Sequence, residues 1–322
     1  MTYNYAVDNP NFSIIVPAGC NAKCEFCFWK QPKDSLVGIK YLKRLDMVLR
    51  ELPSQFTQCS ITGGEPTTCG LLREILTLVR LRFDKVVMSS NGYNIQNWMF
   101  DYIDHLNISR HDYQDARNER VFGTDTVPNM YKLGDICERA NEHGVDVTIN
   151  TVLAPEFDDY SFIDKMVEFT KVVGANAICF RKEHSDIEPM PVEDYIHNKV
   201  TYEHSCGVCK VKERLMKGVK TTWRYSVLEP SQELGAIYEL VFHANGKLTL
   251  DWEADTSLEE HLANNISDDE DYFDEDLTEE EEAIMAEEVA RLGREIFKVE
   301  IGGSNDHVSR PLGCGGLISR GC

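Results

Sequence analysis

Short runs rich in β-branched residues alternate with stretches whose apolar residues recur at helical spacing, from residue 12 to about residue 200. The runs predict strands over 12–16, 58–61, 85–89, 105–108, 146–152 and 176–180. The helical stretches are 40–52, 71–83, 95–103, 129–143 and 160–173. Strands alternating with helices in this way predict an α/β fold: a parallel sheet covered by helices. Periodicity alone leaves two forms open, a partial (βα)6 barrel and a doubly wound sheet. In both, reactive loops sit at the C-terminal ends of strands.

Beyond residue 200 the pattern changes. Cys206-Gly207-Val208-Cys209 precedes a basic segment, 210–224, whose simplest reading is an amphipathic helix and a strand with lysine stems along the surface. Asn245-Gly246, between two alternating apolar runs, predicts a hairpin. An acidic linker of about 264–282 follows, then a helix that Thr278 and Glu281 would cap, then a tail holding Cys314 and Cys322. The expected division is a barrel over 1–200 and a smaller C-terminal α+β domain, with the hairpin, over 201–322.

Charge and cysteine use narrow the function. The net charge is −21, with 54 acidic and 33 basic residues, much of the excess lying between Asp268 and Glu288. That stretch reads as a solvated linker entering a helix, or as a docking patch for a basic partner. Such a balance disfavours holding duplex nucleic acid by phosphate neutralisation. The start, Met1-Thr2-Tyr3-Asn4-Tyr5, lacks the basic-then-apolar pattern of a secretory signal. No apolar stretch approaches the ~20 residues that span a bilayer. The eleven cysteines therefore point to metal ligands in a reducing cytoplasm more than to disulfides.

Three of them form Cys20-x3-Cys24-x2-Cys27, directly after the first predicted strand. Three thiolates on one loop are one fewer than a [4Fe–4S] cube takes from protein, which leaves an iron open. Phe26 stands where an aromatic can cover the cluster. The second strand ends in Gly63-Gly64-Glu65-Pro66, where glycines permit close backbone approach and Glu65 or free carbonyls can accept from an amino group. The competing reading is a zinc site, but structural zinc takes four ligands and the nearest further cysteine is Cys59.

Together these two motifs resemble the radical S-adenosylmethionine (SAM) superfamily, over the first ~200 residues and its partial barrel. The resemblance implies a SAM-binding [4Fe–4S] cluster on Cys20, Cys24 and Cys27. It implies reductive cleavage of SAM to a 5′-deoxyadenosyl radical that takes hydrogen from a substrate. An external one-electron donor such as flavodoxin or ferredoxin is implied too. Gly63, Gly64 and Glu65 would contact the methionine amino group, with Pro66 shaping the turn. Ser90 and Asn91 look like a polar SAM contact after the third strand. Ser109 and Asn150 are candidates for carboxylate and ribose contacts. Arg181 is a candidate partner for the SAM carboxylate or an anionic substrate.

Cys206, Cys209, Cys314 and Cys322 resemble the auxiliary-cluster regions, twitch and SPASM, of that superfamily, nearest the GTP 3′,8-cyclase type. The chain departs from that pattern in having Asp251-Trp252 where a cysteine commonly follows the hairpin. A second [4Fe–4S] cluster, a zinc site and uncoordinated thiols all remain open, as does Cys322 as a hydrogen donor to the substrate radical. The expected substrate is a nucleotide, nucleoside or modified base, undergoing isomerisation or ring formation. Interleaved cations and rings from Lys210 to Tyr225 suit a phosphate and a base. The alternatives are a peptide-modifying maturase and a non-catalytic iron–sulfur scaffold. A maturase would need a separate recognition protein, because 19 residues before Cys20 are too few for a folded domain.

Overall fold

The computed structural model describes residues 10–27, 29, 34–154, 159–182, 190–197, 202–205, 210–224, 239–250 and 252. In chain order the strands are β1 (Asn11–Ile15), β2 (Gln58–Thr62), β3 (Lys85–Ser90), β4 (His105–Ser109), β5 (Asp146–Leu153), β6 (Ala177–Lys182), β7 (Tyr202–Ser205), β8 (Lys210–Met216), β9 (Val219–Arg224), β10 (Glu239–Phe242) and β11 (Leu248–Thr249). The helices are α1 (Gly38–Glu51), α2 (Leu72–Arg82), α3 (Asn97–Phe100), α4 (Asp115–Phe122), α5 (Met130–Glu142), α6 (Tyr160–Val172) and α7 (Pro191–His197). The α/β architecture dominated by a parallel sheet is the one expected. The stretch at 95–103 holds only the single turn α3, and α4 was not anticipated.

Helix registers follow their apolar stripes. In α1 the buried side chains are Tyr41, Leu42, Leu45, Val48 and Leu49, an i, i+1, i+4, i+7, i+8 pattern that puts one face on the sheet. Asn129 opens α5 by accepting from Lys132 N–H at 3.0 Å, and Asp159 opens α6 by accepting from Ser161 N–H at 2.9 Å.

Among the described residues all eleven strands form one sheet, ordered β11-β10-β1-β2-β3-β4-β5-β6-β9-β8-β7. From β10 to β9 every neighbouring pair is parallel. The strands after residue 200 thus join the sheet of the first six at both edges. The physical reason is that an edge strand leaves a row of backbone groups unpaired, and β10 and β9 cover those rows. The Asn245-Gly246 hairpin forms as expected, with Gly246 at φ 80°. The basic segment is a correction: no helix forms there. It is the β8–β9 hairpin, turning on Lys217 and Gly218 at φ 51° and 83°, a two-residue turn whose twist matches the strands.

The sheet's two faces differ in chemistry. One carries cross-strand rows such as Ile14, Ile61, Met88, Leu106 and Val147, and it packs on the helices. The other carries Ser89, Asn107 and Thr148, then Ser109, Asn150, Cys179 and Thr222, then Arg181 and Arg224. Closed parallel barrels fill that interior with Val, Ile and Leu. Here it is polar and encloses two cavities.

His105 lies on this polar face, 6% exposed, with Nε2 3.0 Å from Thr148 Oγ1. Burial, then the Lys85 and Arg224 charges, push its pKa down to about 3. A depressed imidazole contributes stability above its unfolded pKa near 6.5 and loses it as pH falls toward the folded value. Urea unfolding should therefore show a loss of about 1.4 kcal/mol from this residue alone between roughly pH 6 and pH 5. His105→Gln should lose less over the same interval, and an equal loss would remove the assignment.

Candidate active site

The first cavity opens at the C-terminal ends of β2 to β5 and is walled by the loop after β1. Cys20, Ala22, Cys24, Phe26 and Cys27 line it from that loop. Thr62, Gly63, Gly64 and Glu65 line it from β2 and its loop, Ser89, Ser90 and Asn91 from β3, and Ser109, His111, Phe122 and Val152 from farther along. Ten of the residues singled out from the sequence thus share one chamber: Cys20, Cys24, Phe26, Cys27, Gly63, Gly64, Glu65, Ser90, Asn91 and Ser109. Pro66 sits just outside, opening a short 3₁₀ turn, Pro66–Thr68.

The cysteine loop is fastened on both sides. Gly19 C=O accepts from Glu65 N–H at 2.9 Å and from the Thr68 hydroxyl at 3.2 Å. Asn21 donates to Thr126 Oγ1 at 2.7 Å and accepts from Asn91 Nδ2 at 2.7 Å. Lys23 N–H donates to Phe122 C=O at 2.8 Å. Gly64 is closed in by protein: a Cβ there would lie 2.4 Å from Gly19 O and 2.9 Å from the Trp29 ring. The packing of the two loops, and not only a ligand, requires glycine at that position.

Glu65, read from the sequence as a contact of the methionine amino group, is engaged by the protein itself. Its carboxylate is 1% exposed and takes four protein donors. Oε1 accepts from Thr67 N–H (3.0 Å), Thr67 Oγ1 (2.7 Å) and Ser90 Oγ (2.7 Å), while Oε2 accepts from Asn91 N–H (2.7 Å). Burial pushes its pKa up and these bonds oppose the rise. The side chain ties the β2 loop to the β3 loop. Ser90 and Asn91 are engaged in the same way, Ser90 also receiving Gly92 N–H and Asn91 receiving Tyr93 N–H.

The thiols form one electrostatic unit. Burial raises the Cys20 pKa, and burial followed by the neighbouring Cys27 and Cys20 pushes Cys24 up to about 12. Packed thiolates repel one another, and a cationic centre among them reverses that balance and holds all three deprotonated. Three thiols around one chamber, with no fourth cysteine among its lining residues, fit a [4Fe–4S] cluster with one iron open to a further ligand. Among the described residues no trio of His, Cys, Asp or Glu is gathered around a single-ion site.

Sequence reasoning missed His111. Its ring meets Phe26 edge-on at 4.9 Å, and its Nδ1 accepts from Val152 N–H at 3.2 Å, which puts the proton on Nε2. Burial, then Arg110, push its pKa down to about 3, so the ring is neutral. The neighbouring Arg110 orders the segment that carries it. That side chain is 1% exposed and donates to Asp112 O, Pro128 O and Asp115 Oδ1 at 2.6, 3.0 and 2.7 Å, which folds the chain after β4 around it. The sequence signal was a histidine two residues past a strand end.

Asn150 and Arg181 do not line this chamber. They line the second cavity, with Asn107, Thr148, Cys179, Thr222 and Arg224. Cys206, Cys209, Cys314 and Cys322 lie outside the described residues. Cys59, Cys69 and Cys137 are buried in the apolar core, and Cys179 is also buried.

Comparison with known families agrees with this arrangement. The model of the Radical SAM superfamily matches residues 14–167, from β1 into α6. Residues 14–167 belong to the radical SAM superfamily. Membership implies SAM and a [4Fe–4S] cluster as cofactors. The chain is 26% identical over 162 residues to an S-adenosylmethionine-dependent nucleotide dehydratase of Flammeovirga pacifica, covering 47% of this chain and 55% of that one. It is 24% identical over 218 residues to a GTP 3′,8-cyclase of Clostridium perfringens, covering 63% of this chain and 62% of that one. The chain thus spans less than two thirds of either relative. The crystal structure of Streptococcus suis SuiB matches with a TM-score of 0.51 at 15% identity, over 77% of this chain and 61% of that one, a likeness of fold. Among the described residues no helix is long and apolar enough to cross a membrane.

Proposed function

We propose that this chain is a radical SAM enzyme acting on a nucleotide, nucleoside or modified base, with an isomerisation or ring-forming rearrangement as the outcome. The observation that carries the reading is the meeting of three thiols and the Gly63–Asn91 loops in one chamber at the strand ends. A [4Fe–4S] cluster bound there supplies an open iron and the single electron that splits SAM into methionine and a 5′-deoxyadenosyl radical. Cys20, Cys24 and Cys27 hold the cluster. Backbone groups of Gly63 and Gly64 receive the methionine amino group, and Glu65 keeps that backbone in place through its four bonds. Ser109 and the His111 Nε2–H are polar groups of the lining that orient the carboxylate or ribose. Phe26 and Phe122 exclude water from the chamber wall.

The nucleobase reading draws support from relatives named for nucleotide and GTP chemistry and from the polar interior of the sheet. An auxiliary cluster on Cys206, Cys209, Cys314 and Cys322 is part of the proposal, and flavodoxin or ferredoxin is the proposed electron source. Anaerobically reconstituted protein should hold about eight irons with both clusters and about four with one. Given a reductant and SAM, it should release 5′-deoxyadenosine, slowly even without substrate. Absence of any cleavage from protein with a full iron load would contradict an enzymatic role.

A further inference from the structure

A small apolar patch interrupts the polar face of the sheet beside the thiol-lined chamber. Ile15 is the register partner of Thr62, which lines that chamber, so both side chains point to the same face. Val241 is the partner of Ser13, two residues before Ile15, and joins it there. Ile15, Val241 and Ala244 form an apolar cluster separate from the main core, and Trp29 and Trp252 pack against it, both partly exposed. Trp29 stands two residues beyond Cys27, and its ring lies 2.9 Å from where a Cβ on Gly64 would be. The ring is thus set against the loop that lines the chamber. Trp252 belongs to the Asp251-Trp252 pair that stands where a cysteine is expected after the hairpin. The chain's other two tryptophans are accounted for: Trp223 is buried, and the Arg73 guanidinium covers the Trp98 ring at 4.1 Å. Among the described residues no ring or cation stacks on Trp29.

We propose that Trp29 is the stacking surface for the planar ring of the substrate, with Ile15, Val241, Ala244 and Trp252 as the apolar floor beside it. The assignment deepens the nucleobase reading and rests on it. A nucleobase has two apolar faces and a polar edge. An indole face beside aliphatic side chains suits the faces, and Ser60 and Thr62, on the next strand and the same side of the sheet, border the edge. A ring held on Trp29 lies next to the Gly63–Gly64 loop, and so beside the molecule whose radical must reach it. An aliphatic side chain at position 29 could fill the same space but would offer no π face to stack on.

Calorimetric titration of the full reconstituted chain, loaded with SAM, tests this with the common ribonucleoside triphosphates and with tripolyphosphate as the ring-free probe. Wild type should bind at least one nucleotide saturably, and tripolyphosphate roughly tenfold or more weakly, as loss of one stacked base implies. Trp29→Leu, which keeps an apolar side chain against Gly64 and removes the ring, should weaken nucleotide binding by roughly tenfold or more. Trp29→Phe, which keeps a ring, should weaken it by no more than about threefold. A role confined to packing the cysteine loop would make the two variants alike, so the difference between them carries the assignment. Trp252→Ala serves where Trp29→Leu does not load its cluster, and should weaken binding several-fold. Trp98→Leu should bind as wild type does, since Arg73 already occupies that ring. Binding of no nucleotide, the result a peptide substrate would give, overturns the assignment. So does tripolyphosphate binding as tight as the nucleotide's, or equal binding by Trp29→Leu and Trp29→Phe. Release of 5′-deoxyadenosine by the same preparations separates the two ideas. Release together with nucleotide binding indifferent to Trp29 sinks the stacking surface alone, and Trp29-dependent binding without release sinks the radical reading alone.

Discussion

Cys24→Ala is expected to lower 5′-deoxyadenosine release by at least about a hundredfold, because outer-sphere changes at metal sites already cost 10–100-fold and this one removes a ligand. The thiol is half-buried among Cys20 and Cys27 and lines the chamber. Its loss leaves two thiols on the loop, too few to hold a cube. Iron per chain should fall in parallel, while the urea midpoint without the cluster stays near wild type. Cys137→Ala is the contrast. Cys137 is fully buried on the core face of α5, so its truncation should cost about 1 kcal/mol of stability through a small cavity and leave iron content unchanged. Equal iron in the two variants would show that the loop does not bind the cluster.

Gly64→Ala should be nearly as damaging by a different route. The added methyl would meet Gly19 backbone atoms at 2.4 and 2.7 Å, and backbone cannot swing aside as a side-chain end can. Relief requires the β2 loop to move off the cysteine loop, which stretches the 2.9 Å bond from Glu65 N–H to Gly19 O. A cost of about 2–3 kcal/mol is expected from overpacking and the weakened bond. Cluster loading should fall with it, since the thiols ride on the displaced segment. Gly70→Ala is the matched control: nothing lies within 4 Å of its Cβ position, and the change should be close to neutral. Chemical denaturation and iron content of both variants check the pair, and a neutral Gly64→Ala would mean the two loops are not in contact.

Much of the sheet was legible because its determinants are local. Six short runs with defined ends gave β1 to β6 to within a residue or two. Asn245-Gly246 marked its hairpin for the same reason, since a glycine at positive φ in a short hairpin loop carries its own signature. The Lys217-Gly218 turn did not announce itself, because lysine is an uncommon residue at positive φ and the flanking cations resembled a helix surface. The placement of β9 beside β6 and β10 beside β1 depends on which edges stay open after the first six strands pair. No local pattern carries that information.

The site divides along the same line. Cysteine spacing and the Gly-Gly-Glu-Pro loop pointed to neighbouring strand ends, and these segments do meet. What the side chains do on arrival was not legible. Glu65, read as a contact of the methionine amino group, also takes bonds from Thr67, Ser90 and Asn91. His111 offers only its place two residues past a strand end, and it is held by Asn118 and Val152. Asn150 is read as a carboxylate or ribose contact, and Arg181 as a partner of the SAM carboxylate or of an anionic substrate, from their places on successive strands. Register with Cys179 and Arg224 puts them on the wall of a second cavity, which no local pattern announces.

The most direct test is the electron paramagnetic resonance spectrum of the reduced protein, recorded with and without SAM labelled with nitrogen-15 at its amino group. If one iron lacks a protein ligand, adding SAM should change the g-values of the cluster signal, and nitrogen-15 hyperfine coupling should appear. A spectrum indifferent to SAM, from protein whose iron and sulfide match a complete cube, would mean that every iron is already fully bound and that this account is wrong.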